Sequence, residues 1–230
     1  FIMKKVTLRF TKPKVDVKEI LYIIYNGSSE FLSNISNSIM AIITNGFLLY
    51  YGGPVGVAAF SIVMYIDALI SPILFGMIDS ILPVISYNYG AKDYKRISEF
   101  FKIICSVAFI ISIITVIIIL AFPNFLVGLF SSASDVDIID MGKIALLLSA
   151  PSYLFNWFIM TVGCFLTGLE KATESIVVML AESAVLPLIL IVVLTKVMGV
   201  YGIFMVPSIS GLIAAVISFI LWRKCVLKLK

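Results

Sequence analysis

The sequence contains no histidine, and charged residues make up only 13% of its 230 positions. Without histidine, the common zinc sites and histidine-based nucleophile triads have no ligand and no base. Three cysteines, Cys105, Cys164 and Cys225, stand far apart without metal-ligand spacing. They read as small packing residues. No paired nucleophile and base marks an intramembrane enzyme. So little charge also excludes an ordinary soluble domain, in which about a quarter of residues are charged.

What fills the chain instead is apolar: 61% hydrophobic residues and a mean hydropathy of +1.14. The apolar runs are long enough to cross a bilayer core of about 30 Å. The expected fold is all-α, a polytopic membrane protein with six transmembrane helices. The runs predict helices over about 17–50, 55–88, 97–122, 141–169, 172–197 and 203–222. The turn Tyr51-Gly52-Gly53-Pro54 separates the first two. Pro72 and Pro83 fall inside the second, where a membrane helix tolerates a kink. Fifteen of the 17 Lys and Arg lie before the first span, around residues 92–102, at Lys171 and at the C-terminus, leaving only Lys143 and Lys196 for the other side. The positive-inside rule then places both ends in the cytoplasm, which an even number of spans satisfies. Basic flanks of this kind belong to membrane spans, and no nucleic-acid partner is expected.

In the first helix Glu30, Asn34, Asn37, Ser38, Ala41 and Asn45 recur at helical spacing, forming a polar stripe on an apolar helix. A polar stripe in lipid must turn toward protein or an aqueous cavity. The stripe therefore predicts a cavity wall, with Glu30 as its charge-handling group. Asp67, Asp79 and Glu182 also fall inside predicted spans, where burial of a carboxylate costs a few kcal/mol. Asp67 and Asp79 are twelve residues apart, about 120° around a straight helix, which predicts that they do not share a site. Asp79 and Glu182 are candidates for structural or gating groups. Tyr65, Asp67, Tyr153, Asn156 and Met160 are candidates to line a pocket, since aromatic faces and acids suit organic cations.

The segment Asp79-Ser80-Ile81-Leu82-Pro83-Val84-Ile85-Ser86-Tyr87-Asn88-Tyr89-Gly90-Ala91-Lys92 resembles the helix-end signature of the multidrug and toxic compound extrusion (MATE) family. Ser80 and Leu82 stand where many members carry glycine and glutamine. Tyr25-Asn26-Gly27-Ser28-Ser29-Glu30-Phe31-Leu32 and Asn45 resemble the family's seventh helix. Gly199, Gly202 and the basic C-terminus resemble its last hairpin. The resemblance covers essentially the whole chain, at the position of the second of two six-helix lobes. It implies that residues 1–18 are the cytoplasmic connection between lobes, that 19–230 form one lobe, and that an N-terminal six-helix lobe is its partner. It further implies a secondary efflux transporter of the plasma membrane that exchanges Na⁺ or H⁺ for small organic cations and needs no other cofactor. In relatives the acid of the seventh helix falls near Asn37 or Ser38, or where Asn34 stands. Glu30, Asn34 and Asn37 are thus the cation-coupling candidates. The alternative is a flippase for lipid-linked oligosaccharide of the same wider superfamily, whose cavity needs cationic residues that these spans lack.

Overall fold

The computed structural model describes residues 16–131 and 135–229. Nearly all of the stretch expected to connect two lobes lies outside these residues. Every regular element among them is helical. Five helical stretches are long and apolar enough to cross a membrane. The first of these is two helices in one: α1 (Val17–Asp79) breaks at Gly53, whose φ of 61° and ψ of −164° leave the helical region. Glycine adopts that φ without steric cost. The chain reverses there, bringing Gly56 against the Leu48 carbonyl. Two crossing segments result, 17–52 and 54–79, giving six in all.

After α1, a two-residue break leads into α2 (Leu82–Gly90), which has Pro83 in its first turn. Pro83 sits in the first turn after the break, where its missing N–H is harmless; Ser80 and Ile81 keep helical φ/ψ, so the helical stretch bends there and runs on to Gly90. Asp93 caps α3 (Tyr94–Ala121) by accepting from the Arg96 N–H at 3.1 Å. The expected loop after residue 122 holds a short helix, α4 (Pro123–Gly128), before α5 (Val136–Ser149). Pro151 lies in a 3₁₀ turn, Ala150–Ser152, which joins α5 to α6 (Tyr153–Gly168). Next, α7 (Ala172–Leu180) passes through a π-helical turn, Ala181–Val185, into α8 (Leu186–Met198). Gly199, with φ of 59°, reverses the chain into α9 (Val200–Leu229), a longer helix than the apolar run alone predicts.

Two apolar cores hold the bundle, one toward each end. Near the Gly53 turn, Phe60 stacks on Phe204 at 6.1 Å, among Leu48, Val127, Leu146 and Ile191. Near the turn at Glu170, Phe101 sits between Phe165 at 4.6 Å and Trp222 at 5.4 Å, beside Ile78, Ile85 and Leu169. The start of α1 is tied to this second end. Tyr22 donates to Glu170 at 2.8 Å, and the Tyr25 and Thr173 hydroxyls share a hydrogen bond of 2.6 Å. Along α3, Ile103, Val107, Ile110, Ile114 and Ile117 form an exposed apolar ridge. In water such a ridge would be costly; in lipid it is the ordinary solvent-facing surface.

Candidate functional site

Between the two cores lies a cavity of about 690 Å³. One wall comes from residues 30–45 of α1: Glu30, Asn34, Asn37, Ala41 and Asn45 all border the cavity, on its exposed side. Ser38 does not. It donates to the Asn34 carbonyl at 3.0 Å instead, and Asn34 donates to the Glu30 carbonyl at 2.8 Å. These local bonds leave the Glu30 carboxylate free to meet the cavity.

The returning half of α1 supplies Tyr65, Asp67 and Asp79. Asp67 and Asp79 both border the cavity, although twelve residues set them about 18 Å apart along the helix, at separate places on its wall. A cavity this size borders a wide arc and several turns of the helix, so positions about 120° apart both reach it. Asp67 is the best-supported acid: its Oδ1 accepts from Ser71 at 2.8 Å and from the Tyr153 hydroxyl at 3.0 Å. Tyr65, which packs against Phe130 at 5.6 Å, lies on the exposed rim.

From α6 come Tyr153, Asn156 and Met160, and from the π-turn comes Glu182. Tyr153 is buried, and its carbonyl accepts a short hydrogen bond from Ser112. Gly211 lets α9 pass close to Asn156, since a Cβ there would lie 3.2 Å from its Oδ1. The ten coupling, lining and gating candidates therefore all border one cavity, whereas Ser38 of the stripe does not. Sequence reading missed Ser33, Thr44, Ser61, Ser71, Ser183 and Ser210, which border it too. Ser71 stands four residues from Asp67, a legible helical pair. Ser183 carries no such signal.

The electrostatics are one-sided. Four carboxylates line the cavity and, among the described residues, no Lys or Arg does. The ion pairs of Arg96 with Asp93 at 3.3 Å and of Lys143 with Asp140 at 3.2 Å lie elsewhere. Acids with no cationic neighbour on the wall make a surface whose field favours cations over anions.

The sequence profile of the MatE family matches residues 31–193. Multidrug export protein MepA of Staphylococcus aureus (strain MSSA476) is 26% identical over 224 residues, which is 94% of this chain and 47% of that protein. A solved outward-facing conformation of a multidrug resistance MATE family transporter of the MOP superfamily superposes with a TM-score of 0.87 at 23% identity, covering 97% of this chain and 50% of that one. A crystal structure of MATE in the bent conformation gives a TM-score of 0.90 at 20% identity, covering 100% of this chain and 51% of that one. The chain thus spans about half the length of the relatives it matches. With six helical crossings, a polar stripe bordering the cavity and a profile match over most of its length, this multi-pass membrane chain belongs to the MatE family.

Proposed function

We propose that the chain is one six-helix lobe of a two-lobe secondary transporter that expels small organic cations in exchange for Na⁺ or H⁺. The observation that carries this reading is the cavity with four carboxylates and no lining Lys or Arg among the described residues. Relatives named as multidrug export proteins support it. Half the relatives' length also supports a second lobe as partner, because alternating access needs two bundles moving against each other.

In this reading Glu30, Asn34 and Asn37 handle the coupling ion. The acid carries the charge, and the amide oxygens complete a small-cation shell or accept from a protonated carboxyl. Tyr65, Asp67, Tyr153, Asn156 and Met160 contact the organic cation through charge, ring face and apolar surface. Asp79 and Glu182 tune or gate the cavity from its walls. Coupling follows when ion and drug compete for the same carboxylates and each favours a different conformation. The Glu170 end faces the cytoplasm of the plasma membrane, in keeping with the basic residues gathered there. A lipid-linked pyrophosphate is disfavoured, since the cavity would repel it. The test is efflux of a fluorescent cation against an imposed Na⁺ or H⁺ gradient in proteoliposomes of the full-length protein. Gradient-driven efflux supports the reading. Transport of an anionic lipid headgroup, with no cation efflux, contradicts it.

A further inference from the structure

The passage from α7 to α8 carries Glu182, to which the efflux reading gives only a tuning or gating part. At Ala181–Val185 the helix widens, and the Leu186 N–H reaches the Ala181 carbonyl five residues back. Pro187 accounts for the widening. It has no N–H for the carbonyl of Ser183, four residues earlier, and its ring would crowd that carbonyl in a regular helix. A π-turn relieves the conflict, and such turns recur at functional sites.

Ser183 lies in this turn. Its hydroxyl is buried, at 5% exposure, and has no hydrogen-bond partner. Several helical serines in this chain donate to the carbonyl four residues back, as Ser61, Ser149 and Ser218 do; Ser29 is a second orphan, but it does not border the cavity. Ser183 makes no such bond, yet it borders the cavity. Buried hydroxyls are almost always paired, so an orphan on a cavity wall calls for a ligand. Beside it, Glu182 faces the same cavity with neither a hydrogen bond nor an ion pair among the described residues.

We infer that Glu182 and Ser183 form a binding site for a dehydrated monovalent cation, with Na⁺ as its natural occupant, on the cavity wall at the π-turn. The groups available are all oxygens: the Glu182 carboxylate, the Ser183 hydroxyl, and the Ser183 carbonyl that Pro187 leaves without a donor at the usual spacing. Oxygen-only sets suit hard cations and give no grip to soft metals. The charge balance favours a single positive charge. Asp67, which borders the same cavity, already has its charge dispersed by Tyr153 and Ser71, whereas Glu182 has no donor at all. A cation held here also offsets the mutual repulsion of the four carboxylates that border the cavity. The site lies on a different helix from Glu30, Asn34 and Asn37, and it requires no assumption about transport.

The experiment is equilibrium binding of ²²Na⁺ to the purified full-length protein in detergent, carried out in a Glu30→Gln background so that the α1 stripe does not contribute. Saturable binding is expected, weakened at least tenfold by Glu182→Gln. Ser183→Ala and Pro187→Ala, the second of which restores the missing N–H, should each weaken it severalfold. Ser38→Ala, off the cavity, should stay within twofold. Absence of saturable binding, or unchanged affinity in Glu182→Gln, overturns the inference. Preference for Ca²⁺ over Na⁺ overturns the monovalent assignment. If Glu182→Gln is not monodisperse on gel filtration, Glu182→Asp and Ser183→Ala decide: unchanged affinity in both overturns the site. Binding of a fluorescent organic cation in the same preparation reports separately on the efflux reading.

Discussion

Tyr153 donates its hydroxyl to Asp67 at 3.0 Å, joining α6 to the returning half of α1 across 86 residues of sequence. Ser71, one turn further along α1, gives the same oxygen a second donor at 2.8 Å. Asp67 is therefore held with one oxygen engaged and the other unclaimed. That arrangement suits a group that must present charge at a fixed place.

The first prediction tests this holding role. Tyr153→Phe removes one donor to a charged acceptor, worth about 1.5–3 kcal/mol in typical cases. Cation affinity should fall about tenfold to about 150-fold, with the larger losses for the best-fitting ligands. Asp67→Asn should cost at least as much. Titration of a fluorescent cation checks both. A Tyr153→Phe protein with a lower melting temperature and unaltered affinity would make the bond purely structural.

Glu30 offers a sharper separation of charge from shape. Glu30→Gln keeps the side-chain volume and its place beside Asn34, so expression and melting temperature should hold. Ion-coupled efflux by the full-length protein should vanish, and Glu30→Asp should keep part of it. Normal coupling in Glu30→Gln would move the role to Asp67 or Asp79.

Packing of the last hairpin gives a stability prediction. A Cβ on Gly202 would press into the backbone carbonyl of Leu194, which cannot swing aside. Gly202→Ala should destabilise by about 1–3 kcal/mol. A methyl group on Gly27 would meet nothing within 4 Å, and Gly27→Ala should gain up to about 1 kcal/mol of helix propensity. Thermal unfolding in detergent measures both, and equal melting temperatures for the two variants would contradict the packing described.

Orientation is open to labelling from outside the cell, in a protein lacking Cys105, Cys164 and Cys225. Cysteines placed at the exposed Tyr50 and Met198 should react with a membrane-impermeant reagent. One at Asp93 should not. The reverse pattern would invert the assignment of the Glu170 end to the cytoplasm.

Much of this architecture is legible in the sequence, because lipid imposes a simple rule. Backbone groups must pair within the segment, so long apolar runs become helices. A polar stripe such as Glu30-Asn34-Asn37 then has to face protein or a cavity. Gly53 announces its own break. What sequence hid were effects of through-space neighbours. Pro83 reads equally well as a kink or a helix start until Ser80 and Ile81 are seen to form a turn between α1 and α2. The Tyr153–Asp67 bond joins residues that no local period connects. Ser183 looks like any helical serine, and only the folded structure shows that its hydroxyl is orphaned.

The central claim is that the cavity selects positive charge through its carboxylates. Its most direct measurement compares the affinity of the purified full-length protein for a quaternary ammonium ligand and for its uncharged isostere, which differ in charge and in almost nothing else. The account predicts at least tenfold tighter binding of the cation, a preference that collapses in the Glu30→Gln, Asp67→Asn double variant. Equal affinity for the two ligands, or a preference that survives in the double variant, would contradict it.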